Sequence, residues 1–280
     1  MTRSVVVTGA NSGIGLATAL ELAGAGYAVI GTARSAEKAQ VLLDAAVERG
    51  VEVRTVLLDV ADAESTAKGF AEIAAMTEIW AVVNNAGFAQ AGSIEDVDDE
   101  AVRYQLEVNL VAPARIARLV LPDMRARGQG RIVNISSVAG RISLPLMGWY
   151  CASKHGVEAM TDALRMEVAP YGVTVSLVEP GSFGTGIWEG AAYPEETATD
   201  AYATAYDRAR RTTTAGAGVL PDPVWVARTV RLALSSPVPL ARYLVGVDAV
   251  GGVLAERLMP TAITDVVKGL TTGLRRLPFS

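Results

Sequence analysis

The sequence predicts an α/β chain, with a parallel sheet covered by helices on both faces. Three observations carry that prediction. Short apolar runs alternate with longer helical patterns from residue 4 to residue 247, as βαβ units require. The first run, Val5-Val6-Val7, is apolar without alternation, which suits a strand buried on both sides. That run leads straight into a glycine-rich turn and then a helical pattern.

Element by element, residues 4–8 form a β-branched strand. Residues 14–25 follow as a helix, with Leu16, Leu20 and Ala23 on one face. A second strand spans 27–32 and a second helix 36–49. Strands at 51–58 and 79–83 flank a helix near 62–75. A long helix runs from 102 to about 127, interrupted by Pro113 and Pro122. A strand at 131–135 precedes a helix at 149–169, and the last strands are 174–178 and 242–247. The segment 189–218 is rich in Ala, Thr, Tyr and Gly, with Arg208, Arg210 and Arg211 clustered in it. It reads as an insertion within one domain. The tail holds a further helical stretch, 254–274, broken by Pro260.

Composition excludes several classes. The chain has 280 residues, half of them hydrophobic and a fifth charged, and a mean hydropathy of +0.29. That is a globular, apolar-rich composition, not a disordered one. The net charge of −5 argues against nucleic acid as a partner. The longest charge-free run, 4–20, contains three glycines, Asn11 and two threonines, so no membrane span is expected and the reading is cytoplasmic. With one cysteine, Cys151, and one histidine, His155, neither an intrachain disulfide nor a Cys/His metal site is available. The chemistry falls to Tyr, Lys, Ser, Asn or carboxylates, aided by a cofactor.

The turn after the first strand reads Thr8-Gly9-Ala10-Asn11-Ser12-Gly13-Ile14-Gly15. Glycines there let backbone N–H groups approach a phosphate, and the following helix N-terminus favours an anion. The spacing is G-x3-G-x-G and not G-x-G-x-x-G. The alternative is a plain strand-to-helix turn. Dinucleotide folds that take NAD place an acid on the ribose 2′-hydroxyl about 20 residues after the turn. No acid lies between Glu21 and Glu37, and the second strand ends Gly31-Thr32-Ala33-Arg34-Ser35. A guanidinium there suits a 2′-phosphate, so NADP(H) is expected over NAD(H). The alternative for Arg34 is a solvated charge at a helix cap.

Tyr150-Cys151-Ala152-Ser153-Lys154 sets Tyr and Lys four apart, on one helix face. An ammonium near a phenol is expected to lower a pKa that starts near ~10, so that the tyrosine exchanges protons near neutral pH. The pair follows a strand ending Asn134-Ile135-Ser136-Ser137, and open parallel sheets bind ligands at such carboxyl ends.

Together, Gly9-x3-Gly13-x-Gly15, Asn84-Asn85-Ala86-Gly87, Ser137, Tyr150-x3-Lys154 and Pro180-Gly181 are similar to the short-chain dehydrogenase/reductase family. The likeness runs from residue 4 to 185 in order. The stretch 150–156 with Val178-Glu179-Pro180-Gly181 resembles the steroid- and retinol-dehydrogenase-like branch. The resemblance implies a Rossmann fold with a seven-stranded doubly wound sheet. Residues 1–280 would form a single domain, with a substrate-loop insertion at about 186–220 and an extension at about 248–280.

It also implies roles. Tyr150 is general acid in carbonyl reduction and base in alcohol oxidation. Lys154 lowers its pKa and binds the nicotinamide ribose. Ser137 bonds the substrate oxygen, ahead of Ser136. Asn109 holds a water of the proton relay. Gly9, Asn11, Ser12, Gly13, Ile14 and Gly15 cradle the cofactor and Arg34 its 2′-phosphate. Asp59 contacts the adenine and Asn85 lies beside the adenosine ribose. Val60, Ala86, Gly87, Tyr150, Lys154, Pro180, Gly181 and Thr185 complete the cofactor-binding set, with Thr185 on the nicotinamide carboxamide. Family members pair through long helices, so a homodimer or homotetramer is implied.

The substrate expected is a medium-sized hydrophobic ketone, aldehyde or secondary alcohol. Ile187, Trp188, Tyr193, Tyr202 and Tyr206 either bury its body or cover the core. Arg208, Arg210 and Arg211 are either an anion clamp or a solvated helix face. His155 reads as a helix-surface or interface residue and Cys151 as small packing. Three other functions compete with this reading. The tail after Gly246-Val247-Asp248-Ala249 counts against a 3-oxoacyl-thioester reductase. The glycine spacing counts against a nucleotide-sugar epimerase. The four filled catalytic positions count against a non-catalytic NADP-binding regulator.

Overall fold

The computed structural model of the chain describes residues 2–185, 187, 199–216 and 220–275. Seven strands form one sheet in the order β3-β2-β1-β4-β5-β6-β7, and every pairing is parallel. They are β1 (Ser4–Val7), β2 (Ala28–Ala33), β3 (Val53–Leu57), β4 (Ile79–Asn84), β5 (Gly130–Ile135), β6 (Val173–Pro180) and β7 (Arg242–Val245). The first six helices are α1 (Gly13–Gly24), α2 (Ala36–Arg49), α3 (Ala63–Met76), α4 (Asp99–Leu106), α5 (Ala112–Arg127) and α6 (Gly148–Val168). After β6 come α7 (Ala203–Gly216), α8 (Val224–Ser235), α9 (Val247–Leu258) and α10 (Thr261–Thr272). No described helix is long and apolar enough to cross a membrane.

The unbroken apolar run of β1 has its reason in the layers. Side chains alternate along a strand. Val5 and Val7 pack with Leu22 of α1 and Val226, Val230 and Leu234 of α8. Val6 packs on the other face with Phe70 of α3 and Ile116 and Val120 of α5. Both faces are covered, so neither position is polar.

Helix α3 starts where the sequence suggests, because the Asp62 carboxylate accepts the N–H groups of Glu64 and Ser65 at 2.8 and 3.0 Å, a standard N-cap. Leu16, Leu20 and Ala23 of α1 pack half-buried against the core, beside the fully buried Gly15, Thr18, Ala19 and Leu22. Three expectations need correction. The long helix begins at Asp99, capped by Asp98, and its irregularity lies before Pro113, as a π-turn over Glu107–Val111. The last strand stops at Val245, since Gly246, at φ +110°, turns the chain directly into α9; the tail is therefore α9 and α10, parted at Pro260. Helix α8 has no counterpart in the sequence reading: the Pro221-Asp222-Pro223 start looks like loop, yet Asp222 accepts Val224 N–H at 2.8 Å and opens the helix.

Candidate active site

A cleft of about 490 Å³ runs along the carboxyl ends of the strands, a size suited to a small ligand or cofactor. The turn after β1 forms its floor. Gly13 sits at φ +51°, and a Cβ there would lie 2.9 Å from the Thr185 carbonyl oxygen. A Cβ on Gly15 would strike the Gly9 carbonyl and the Asn85 amide. Only glycine fits either place. The turn is tied down from β4. Thr8 Oγ1 accepts the N–H groups of Asn85 and Ala86, both at 3.0 Å, and Asn85 Nδ2 donates to the Thr8 and Gly9 carbonyls at 2.9 and 3.2 Å. Ser12 stands at the N-cap of α1 without a side-chain cap bond, so the first N–H groups of the helix are left for an anion.

At one end of the cleft stand Arg34, Lys38, Asp59 and Tyr104. Arg34 donates to the Tyr104 hydroxyl at 3.2 Å, and the Tyr104 ring leans on Phe88, 5.3 Å between centroids. Asp59 accepts from Ala61 N–H at 2.9 Å. Sequence reasoning misses Lys38 and Tyr104. The available signal for Lys38 is its place one helical turn after Arg34; Tyr104 reaches the cleft from α4 and has none.

At the other end lie Ser137, Tyr150 and Lys154. Lys154 is buried and donates from Nζ to the Ile135 carbonyl at 2.9 Å, 5.9 Å from the Tyr150 ring centroid. Ser137 hydrogen-bonds the Tyr150 phenol and accepts from Ala139 N–H at 3.1 Å. The lowered phenol expected from the lysine is not what this arrangement produces. Burial pushes Tyr150 up to about 12, against the opposing Ser137 bond, and burial pulls Lys154 down to about 8, against the field of Glu158. Removing a charge from water costs more here than the partners return. Both groups are protonated at neutral pH.

Asn109 and Gly15 do not line the cleft; the other expected positions do. The Asn109 side chain is engaged elsewhere: Oδ1 accepts Phe88 N–H at 3.1 Å, and Nδ2 donates to the Phe88 carbonyl at 3.0 Å and to Ser153 Oγ at 3.1 Å. It sits in the π-turn. Pro113, four residues on, has no N–H to give the Asn109 carbonyl. Gly15 lies beneath the turn and permits its closeness to Asn85.

Around Tyr150 the wall is apolar: Ala89, Ala91, Ala139, Met147 and Cys151, with Leu144 and Ile187 packed against them. Tyr206 is not part of this wall. It is buried with Leu146 and Ala205, beside Tyr202, and its hydroxyl donates to Asp96 at 2.6 Å and accepts Ser93 N–H at 2.8 Å. Trp188 and Tyr193 lie outside the described residues. Arg208, Arg210 and Arg211 are exposed on α7. His155 is exposed on α6, with Nδ1 2.9 Å from the Cys151 carbonyl oxygen, and Cys151 is buried.

The glycine cradle, the N-terminus of α1 and two cations at the far end fit a phosphate-bearing dinucleotide. Known proteins agree in kind. The short chain dehydrogenase family model matches residues 3–195. The uncharacterized oxidoreductase YbbO of Escherichia coli is 33% identical over 95% of this chain and 94% of its own. The uncharacterized oxidoreductase YusZ of Bacillus subtilis is 40% identical, over 65% of this chain and 66% of its length. A solved short-chain dehydrogenase from Streptomyces avermitilis superposes with a TM-score of 0.81 at 34% identity, covering 98% of this chain and 97% of that one. A single-residue variant of the actinorhodin polyketide ketoreductase, solved with NADPH, superposes at 0.75 and 32% identity, covering 89% and 97%. The chain belongs to the short-chain dehydrogenase/reductase family.

Proposed function

We propose that this protein is an NADP(H)-dependent oxidoreductase that interconverts a ketone or aldehyde and an alcohol on a hydrophobic small molecule, with Tyr150 as its general acid and base. The observation that carries the reading is the make-up of the cleft. Arg34 and Lys38 line one end, and Ser137 and Tyr150 the other, with the glycine cradle between. The solved actinorhodin ketoreductase with NADPH supports the cofactor class.

The first turn of α1 and the turn 9–13 would hold the pyrophosphate, Arg34 and Lys38 the 2′-phosphate, Asp59 and Val60 the adenine, and Gly87, Pro180, Gly181 and Thr185 the nicotinamide half. A nicotinamide supplies or accepts the hydride. The remaining steps belong to the chain. Ser137 holds the substrate oxygen beside the phenol. Tyr150, protonated at neutral pH because burial raises it, gives its proton to that oxygen as the carbonyl is reduced and takes it back in oxidation. The Lys154 ammonium supports the phenolate left behind and recharges it from the solvent side, through water on the Asn109 carbonyl. The apolar wall around Tyr150 excludes bulk water and suits a hydrocarbon body. We take the chain to act as one domain and to pair through α5 and α6, whose outer faces expose Leu119 and Met166.

The test is NADPH consumption on matched apolar and carboxylated ketones, repeated with NADH. Preference for the apolar series and for NADPH is expected. Better turnover with NADH sinks the cofactor assignment. Preference for carboxylates, lost in Arg208→Ala or Arg211→Ala, makes the arginine cluster a substrate clamp.

A further inference from the structure

Helix α6 carries a third buried polar residue in line with Tyr150 and Lys154. Glu158 follows Lys154 by four residues, on the same face, and is buried. It meets Glu179, the buried β6 residue just before Pro180, at a shared cation: Arg242 Nε of β7 lies 3.1 Å from an oxygen of each carboxylate. Arg141, which ends the turn after Ser137, reaches Glu179 at 3.3 Å. Asp162 holds the other side of Arg242 and pairs with Arg165 at 2.7 Å. The turn itself rests on this cluster, since a Cβ on Gly140 would lie 2.8 Å from Ser136 Oγ, 3.0 Å from Glu158 Cγ and 3.1 Å from the Lys154 carbonyl.

Resting on the function proposed above, we propose that Glu158 is a positioning residue of the catalytic face, supplying the counter-charge that keeps the Lys154 ammonium in place and seating the Ser137-bearing turn on α6. Four segments converge on it: α6, the turn after β5, β6 and β7. Hydrophobic side chains would fill that junction at lower cost, because desolvating several charges is expensive. What the ionic arrangement adds is a field on Lys154. Glu158 is the acid that acts on Lys154 and opposes the loss of its proton on burial. Glu179 is pushed to about 7, by burial first and by the charge of Glu158 next.

The chain has four lysines, Lys38, Lys68, Lys154 and Lys268, so each is resolvable by carbon-13 NMR at Cε, with Lys154→Arg assigning the signal. In Glu158→Gln the Lys154 midpoint should fall by about one pH unit, as expected for losing a nearby opposite charge, and the alkaline limb of carbonyl reduction should follow it. Glu158→Asp should restore most of both. Glu179→Gln should leave the Lys154 midpoint in place. Should Glu158→Gln not fold, Glu158→Gln with Glu179→Gln is the substitute, because the two amides can pair and Arg242 keeps Asp162; the same acid-side move is expected. A lower melting temperature with an unmoved Lys154 midpoint would make Glu158 purely structural and overturn the proposal. The NMR titration does not depend on turnover, so an absence of NADPH oxidation by the wild type counts against the proposed function and not against this one.

Discussion

The cofactor half of the molecule and its C-terminal cover are held by different kinds of contact. Between β1 and α6, side chains of motif residues tie neighbouring segments together. Thr8 and Asn85 lock the glycine turn, and Asn84 donates to Asn134, which donates to Thr161, each at 2.8 Å. After β6, single side chains tie down the outer helices. Tyr206 pins α7 to Asp96, Asp248 of α9 accepts Ser182 N–H at 2.6 Å, and Lys268 of α10 pairs with Glu256 of α9 at 2.7 Å. The cover also leaves apolar side chains outward, with Val247 91% and Leu258 73% exposed. The cradle is cross-tied within the core, whereas α7, α9 and α10 are pinned by single side chains around a core-packed α8, so the outer helices lie over a rigid scaffold.

The sharpest test of this contrast removes chemistry from the rigid half without touching its shape. Tyr150→Phe keeps the buried ring and deletes the proton, so kcat should fall by at least about 10²-fold while NADPH binding, read by fluorescence, stays near wild type. Near-normal turnover would refute the assignment. Next in size is the cofactor end. Ala33→Asp with Arg34→Leu should reverse the NADPH-to-NADH preference by about ten- to a hundredfold, the worth of one or two charge-assisted bonds. An unchanged ratio would place the 2′-phosphate site elsewhere.

A third expectation concerns pH. Lys154 is held at about 8 from a normal 10.5, and Tyr150 at about 12 from 10.0. Raising the pH through 8 therefore removes the ammonium while the phenol keeps its proton. Carbonyl reduction should be flat near neutrality and fall about tenfold per pH unit well above 8, the slope of one ionisation. A profile level to pH 10 would deny Lys154 its part. The smallest effect belongs to the cover. Tyr206→Phe leaves Asp96 short of one donor and should cost about 1–3 kcal/mol of stability, the worth of a hydrogen bond to a charged group. KM for bulky ketones should rise in that variant, with kcat on small ones preserved. Equal effects on large and small ketones would show that α7 has no part in the substrate wall.

Much of the fold is legible because it is written in local pattern. The apolar runs mark β1 and β4 to within a residue, and Asp62 marks the start of α3. Helix α8 escapes such a reading because its first residues have loop chemistry and its buried face, Val226, Val230 and Leu234, acquires its meaning only against α1 and the sheet. Arg34 is legible at the end of β2, whereas Tyr104 is not, since nothing near it in sequence points to a guanidinium 70 positions away.

By itself the sequence determined the glycine turn, the Tyr150–Lys154 face and the missing donor at Pro113, because backbone geometry, helical period and the chemistry of proline act over a few residues. Only the tertiary structure decided that burial raises Tyr150, that Tyr206 is buried on Asp96 and Ser93, and that Glu158 and Glu179 share one arginine. Those facts depend on how much water distant segments remove and on which charges they bring together. Desolvation and long-range pairing are properties of the packed molecule.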